Sequence, residues 1–227
     1  MILNDCLIII PARKNSKRIR GKNLRILKNK PLIEHSIEYA VSYIDKKNIW
    51  VNTDDEKIIE LATNLGVSSY KRPDDLALDE TSTNEVIVDF VDFLFEEKIN
   101  FKFLITLQPT NPIRSKNLII DSYNFFLENK LKSLMSVSVL HKKFGRISNN
   151  KYLPMNYRIG QRHQDLENLY FENGLIYICS KEAIKEDKNY ITDDVYPYIT
   201  DEIGSFIDID YEEDLKMAEV ILSHHLK

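Results

Sequence analysis

Cysteine is nearly missing from this sequence. Cys6 and Cys179 are two isolated thiols among 227 residues, which excludes a disulfide framework and any cysteine-rich metal site. No apolar run reaches the ~18 residues needed to cross a bilayer. The opening stretch "MILNDCLIIIPARK" puts an acid before its short apolar run and bases after it. That is the wrong order for a secretory signal, and no small-residue cleavage site follows. The expectation is a cytoplasmic protein with no membrane partner. Glycine is scarce as well, six residues in all. Neither G-x-x-x-x-G-K-[ST] nor G-x-G-x-x-G occurs, so a Walker loop and a dinucleotide fingerprint are both excluded. A general nucleic-acid binder carries an elevated pI and a basic stripe, whereas this chain has a pI near 5.8 and a net charge of −4.

What is present is a large apolar share, 43%, enough for one core and one domain spanning residues 1–227. Short apolar runs alternate with helical patterns. "CLIIIPA" (Cys6 to Ala12) reads as a buried strand. "PLIEHSIEYAVSYI" opens on Pro31, a favoured first helical residue, and places Leu32, Ile33, Ile37, Ala40, Val41 and Ile44 on one face. "NIWVNTD" reads as a strand, and "DEKIIELATNLG" as a helix capped by Asp54 or Asp55 and closed by Gly66. A third strand precedes Arg72. "STNEVIVDFVDFLFEEK" is a helix whose Ser82 and Glu85 make a capping box. Then come strand "FKFLITLQPT", helix "SKNLIIDSYNFFLEN" and strand "KSLMSVSVL". This alternation predicts a mainly parallel sheet covered on both faces, an α/β fold. Residues 141–173 break the rhythm, polar, aromatic and basic, and read as a flap or an oligomer arm. "GLIYICS" and "GSFIDID" resume strand character, and "YEEDLKMAEVILSHHLK" closes the chain as a helix. His224 and His225 fit a helix end favoured by its dipole better than a metal site.

One segment concentrates the chemistry. From Arg13 to Lys30 there are nine Lys or Arg residues and no acid. In open α/β sheets ligands bind beyond the carboxyl ends of the strands, and this stretch follows the first strand. Arg13, Ser16, Lys17, Arg18 and Lys22, with Pro11, Gly21 and Asn23 as turn formers, suit phosphate oxygens. A solvated basic surface meeting RNA or acidic lipid is the competing reading. In "FIDID", Asp208 and Asp210 alternate with Ile207 and Ile209, so both carboxylates share one strand face. That suits Mg²⁺, which takes one or two carboxylates and completes its octahedron with water and phosphate.

The stretch "IPARKNSKRIRGKNLRILKNKPLIEHSIEYA" resembles the N-terminal signature of the N-acylneuraminate cytidylyltransferases. "VNTDDEKI", "RPDDLALDETST", "LQPTNPIR", "QDLENLYFENGLIYI" and "FIDIDYEEDL" follow in the family's order and cover almost the whole chain. The resemblance implies a Rossmann-like nucleotide-diphospho-sugar transferase fold, a three-layer α/β/α sandwich. It implies transfer of the cytidylyl group of CTP to the anomeric hydroxyl of a nonulosonic acid, with Mg²⁺ and release of pyrophosphate. It also implies a homodimer in which an arm, here 141–173, reaches towards the partner's site.

Carried over by position, Arg13 and Lys22 match the triphosphate-binding residues, and with Asp210 they form the expected catalytic set. Ser16, Asn23 and Arg72 join the nucleotide site, although Arg72 taken alone reads equally well as a surface turn before Pro73. Gln108, Arg146 and Arg162 would meet the acceptor, an Arg fork being a natural partner for its carboxylate. Asp208 and Asp210 would hold the metal. Two departures stand out. Relatives often read Arg-Arg-Gln-Asp-Leu where this chain has "RHQDL", with His163 at the second arginine, which leaves the sugar open. Many have Gly-Gly where Lys14-Asn15 stand; asparagine can keep such a turn because it tolerates the left-handed region. The rival readings are a cytidylyltransferase for another sugar acid such as Kdo, and a non-catalytic nucleotide or RNA sensor on the same fold.

Overall fold

The computed structural model describes residue 3 and residues 5–225. In chain order the elements are β1 (Cys6–Pro11), a short hairpin of β2 (Ile26–Leu27) and β3 (Lys30–Pro31), and α1 (Leu32–Val41). Then follow β4 (Ile49–Thr53), α2 (Glu56–Leu65), β5 (Ser68–Lys71), α3 (Thr83–Glu96), β6 (Phe103–Thr106) and α4 (Leu118–Glu128). The second half holds β7 (Ser133–Leu140), the hairpin β8 (Gly145–Ser148) and β9 (Lys151–Pro154), and β10 (Leu169–Ser180). α5 (Lys181–Asp187), β11 (Tyr196–Ile199) and α6 (Glu212–His225) complete it.

Seven strands form one sheet in the order β11-β7-β10-β6-β1-β4-β5. Every pairing in it is parallel except those of β10, which runs antiparallel to both β6 and β7. Ile8, Ile10, Ile105 and Ile178 pack one face under Ile33, Ile37, Ile58, Ala62 and Ile119 of α1, α2 and α4. Leu7, Ile9, Leu104 and Tyr177 pack the other under Ile87, Phe90, Leu94 and Ile184 of α3 and α5. This is the expected α/β/α sandwich. A third, smaller cluster seals α6 and the basic loop together through Ile19, Leu27, Ile207, Ile209, Leu215 and Leu222.

The caps agree with the sequence. Asp55 accepts from the Lys57 amide at 3.0 Å, Gly66 closes α2 in the left-handed region at φ 75°, and Ser82 with Glu85 forms the capping box. The hairpin β2–β3 turns on Lys28 and Asn29, both with positive φ, the twist-matched two-residue turn.

Four expectations are corrected. "GSFIDID" is no sheet strand: Ile203–Phe206 is a 3-10 turn, and residues 207–210 belong to no strand of the sheet. Ile209 N–H donates to the Thr110 carbonyl at 2.8 Å, and the Asn111 amide donates to Ile207 O at 3.0 Å. The edge is filled instead by β11, whose short "YPYI" carries a proline and no clear alternation. The irregular stretch ends sooner than residue 173, because β10 already begins at Leu169. Within it β8 and β9 pair as a hairpin. Neither Lys14 nor Asn15 takes the left-handed conformation, so the first loop turns without it. The last two residues of the closing-helix expectation, 226–227, lie outside the described residues.

Candidate active site

The carboxyl ends of β1, β4, β5 and β6 meet along one edge of the sheet, and the loops leaving them build the site. The Asp54 carboxylate accepts from the Lys14 amide at 2.7 Å, fixing the start of the basic loop over β4. Asn23 is buried, and its amide donates to the Arg13 carbonyl at 2.9 Å, while its oxygen accepts no hydrogen bond among the described residues. Arg72 is not a surface turn. Only 5% exposed, it donates through Nε to Asn52 Oδ1 at 2.7 Å and through Nη2 to the Asn52 carbonyl at 3.2 Å. Burial lowers its pKa from the ordinary value, yet guanidinium stays charged at neutral pH. Arg13, Lys22, Asn23, Arg72, Gln108 and Thr110 line a cleft of about 290 Å³.

A second cavity of about 200 Å³ opens beside it, ringed by Arg13, Ser16, Lys17, Arg18, Lys22 and Asp210. Here the acid and the bases neutralise one another. Lys22 donates to the Ile209 carbonyl at 2.8 Å and to the Asp210 carboxylate at 3.1 Å, and Arg18 pairs with the other Asp210 oxygen. Burial alone would raise the Asp210 pKa, but the hydrogen bond and charge of Lys22, joined by Arg18, outweigh it and hold the group below its ordinary value. Asp208 behaves oppositely: removal from bulk water raises its pKa, and the neighbouring Asp210 charge adds to that. The helix α6 is docked just beyond, where Asp214 accepts from the Asp210 and Tyr211 amides at 2.9 and 2.7 Å.

A third cavity of about 310 Å³ lies on the far side of Gln108, with Asn173, Tyr177 and Asp208 in its wall. It is shaped by a bulge in β10: between Glu172, opposite Val137, and Tyr177, opposite Met135, residues 173–176 face Ser136 alone. The Ser136 hydroxyl fills the gap, donating to Asn173 Oδ1 and accepting from the Ile176 amide at 3.0 Å. Asn173 donates in turn to Ser138 Oγ at 2.9 Å and Thr200 Oγ1 at 2.7 Å. Gly174, at φ 73°, passes so close that a Cβ would lie 2.4 Å from Asn111 Oδ1. Beneath Gln108 sits Arg114, 8% exposed, donating to the Gln108, Leu175 and Ser36 oxygens at 2.7, 2.8 and 3.1 Å. Burial pushes its pKa down to about 10.

Of the three adjoining cavities, two are lined by several cations and the third by the Glu172 and Asp208 carboxylates. The sequence of residues 7–225 matches the family model described as cytidylyltransferase. The chain belongs to the cytidylyltransferase family. It is 32% identical over 199 residues to the N-acylneuraminate cytidylyltransferase of Streptococcus agalactiae serotype V, covering 85% of this chain and 47% of that protein. The chain thus spans about half the length of the first relatives it matches. It is also 32% identical to the CMP-N,N'-diacetyllegionaminic acid synthase of Legionella pneumophila, over 95% of both chains. Among solved structures, CMP:2-keto-3-deoxy-manno-octonic acid synthetase complexed with CTP superposes with a TM-score of 0.71 at 16% identity, over 97% of this chain and 99% of that one. That likeness concerns the fold.

The structure therefore gathers Arg13, Ser16, Lys22, Asn23, Arg72, Gln108, Asp208 and Asp210 along one sheet edge. Arg146 and Arg162 stand elsewhere, on the arm. Arg146 is exposed on β8, and Arg162 makes a bidentate pair with Asp165 at 2.7 and 2.9 Å. His163 contacts the His141 carbonyl at 3.0 Å. Missed by the sequence reading were Asp79, Arg114 and Glu172. Asp79 holds Arg13 at 2.9 Å and Lys17 at 3.2 Å. An acid inside "RPDDLALDETST" gives no sign of which distant bases it will meet.

Proposed function

We propose that this protein transfers the cytidylyl group of CTP to the anomeric hydroxyl of a nonulosonic acid, giving the CMP-sugar and pyrophosphate. The observation that carries the reading is the Lys22 bridge. One ammonium joins the basic loop to the Asp208–Asp210 segment, so triphosphate and metal-binding groups converge between the two neighbouring cavities. The Streptococcus and Legionella relatives, both 32% identical, are named for two different nonulosonic acids, which supports the acceptor class and leaves its member open.

In this reading the β- and γ-phosphates lie among Arg13, Ser16, Lys17 and Lys22. The cytidine lies in the cleft, with Asn23 offering its free oxygen and Arg72 its buried charge. The acceptor sits beyond Gln108. Its hydroxyl oxygen bonds to the α-phosphorus and gives up its proton, and the bond from that phosphorus to the bridging oxygen breaks. Pyrophosphate leaves with the electron pair. Arg13 and Lys22 stabilise charge that grows on these oxygens only as the bond breaks, the kind of differential contact that raises turnover.

Among the described residues no three His, Cys, Asp or Glu side chains cluster into a metal cage. Two aspartates beside a phosphate site fit Mg²⁺, which relies on few protein carboxylates. Asp208 and Asp210 would hold it, and it would supply Lewis-acid activation and neutralise phosphoryl charge.

The arm supports a homodimer. It exposes Ile147 and Ile159 to 78% and 82%, apolar side chains that a second copy would cover, bringing Arg146 and Arg162 to the partner's acceptor cavity.

The test is pyrophosphate release from CTP with Mg²⁺ across nonulosonic acids and Kdo, with ATP, GTP and UTP as controls. CTP-specific release with a nonulosonic acid is expected. Release with Kdo alone moves the protein to another acceptor class, and CTP binding with no release favours a sensor.

A further inference from the structure

Gln108 stands at a junction. Among the described residues it alone lines both the cleft beside Arg13 and the third cavity. Another wall of that third cavity is the β10 bulge, with Asn173 and Gly174. The buried Arg114 ties the two walls together. Its Nη2 donates to the Gln108 carbonyl at 2.7 Å, and its Nε to the Leu175 carbonyl, inside the bulge, at 2.8 Å. Nη1 goes to a third element, Ser36 Oγ of α1, at 3.1 Å. The guanidinium lies 5.7 Å from the centroid of the Tyr39 ring. That ring is itself held at its hydroxyl, by the Ser115 carbonyl and the Ile119 amide at 3.0 and 3.2 Å. All three partners of Arg114 are neutral oxygens. Glu202, an acid whose charge acts on it, directs both oxygens to the Ser115 amide and hydroxyl.

Burying a guanidinium without a carboxylate is costly, and an apolar side chain of like volume fills the same space with less desolvation. Packing therefore does not account for an arginine here. What arginine adds is a rigid planar fork that donates in several fixed directions at once, each bond strengthened by the charge. Taking the proposed reaction as premise, we infer that Arg114 is a positioning residue for the acceptor: its fork fixes the spacing between Gln108 and the β10 bulge, and so places the acceptor against the nucleotide. Arg114 touches neither substrate. It acts on the backbone of both walls, and does so whether this chain or a second copy completes the rest of the cavity. A misplacement of about 1 Å in such a spacing costs on the order of 10²-fold in rate. The proposed nucleotide contacts, Arg13, Lys22, Asn23 and Arg72, make no bond to Arg114, so the effect falls on the acceptor.

The experiment measures kcat and separate KM values for CTP and a nonulosonic acid, by pyrophosphate release, in wild type, Arg114→Lys, Arg114→Met and Ser36→Ala. Urea melts accompany each variant. Arg114→Lys keeps the charge and loses the fork. It is expected to raise the acceptor KM about tenfold and to lower kcat, with the CTP KM within about twofold of wild type. Arg114→Met loses both, and is expected to lower kcat/KM for the acceptor by about 10²-fold or more; where it does not fold, Arg114→Lys decides. Ser36 lines neither cavity, so Ser36→Ala is expected to lower stability and keep both KM values. Equal rises in the two KM values, or wild-type kinetics in Arg114→Lys, overturn the inference. So does an acceptor defect in Ser36→Ala as large as that of Arg114→Lys, which would mark general loosening. Absence of CTP-dependent release by wild type with every sugar acid instead overturns the reaction on which the inference rests.

Discussion

The Lys22 ammonium lies 3.1 Å from the Asp210 carboxylate, with its other bond made to the carbonyl of Ile209. With Arg18 on the second oxygen, Asp210 occupies two of the cations proposed to hold the triphosphate. Lys22→Met should lower turnover by about 10²-fold or more, since in the proposed mechanism Lys22 stabilises the departing charge. Asp210→Asn should also remove turnover, yet in the absence of divalent cation it should bind CTP at least as tightly as wild type. Calorimetric CTP titration with and without Mg²⁺, alongside pyrophosphate release, checks both.

Asp79 competes for the same ligand. Its pairs with Arg13 and Lys17 are about one-third exposed or more, a setting in which an ion pair contributes ~1 kcal/mol or less. Asp79→Asn should therefore tighten CTP by roughly two- to fivefold and no more. Unchanged or weaker CTP binding in a titration series would show that Asp79 orients Arg13 rather than occupying it.

Gly174 can be replaced only at a cost. Its left-handed φ and the 2.4 Å approach to Asn111 leave no room for a methyl group. Gly174→Ala should destabilise the fold by about 1–3 kcal/mol and weaken acceptor binding more than CTP binding, because Asn111 also anchors the segment carrying Asp208. Urea melts and separate KM values for the two substrates give the comparison.

His35 sets an acid limit. Burial lowers its pKa first, with Lys30 adding to the effect against the Leu27 carbonyl and Glu38, and Nε2 lies 2.9 Å from that carbonyl. The unfolded chain, with an ordinary value near 6.5, binds the proton more readily than the native state does. His35 thus contributes stability that is fully present above about pH 6.5 and is lost as pH falls through its lowered native value. His35→Gln should flatten the fall in melting temperature between about pH 7 and pH 5, measured against wild type in the same buffers.

The parts of this molecule legible in the sequence are those written locally. Ser82–Glu85, Asp55 and Gly66 announce their helix ends within four residues, and the bases from Arg13 to Lys30 announce a cationic loop at the sheet edge by following an apolar strand. Ile207 and Ile209 alternate with Asp208 and Asp210 as a strand would. The side chains do divide that way, with both isoleucines buried, but the backbone bonds go to Thr110 and Asn111 instead of a ladder. Periodicity reports which face is buried and not what the amides are paired with. Asp79, Arg114 and Glu172 were illegible because their roles come from partners 62 and 66 residues away, from a carbonyl, or from a bulge that no local pattern specifies.

Strand β10 has two duties along one length. Its first residues close the base of the arm against the end of β7, and its last residues lie in the sheet between β6 and β7. The acceptor cavity hangs on the bulge where these halves join. In the proposed dimer the arm would be a lever pivoting at this cavity, and a second copy gripping its tip would tilt the pivot. On that proposal quaternary packing and acceptor choice would not drift apart in descent: a lineage that remodelled one would have to retune the other.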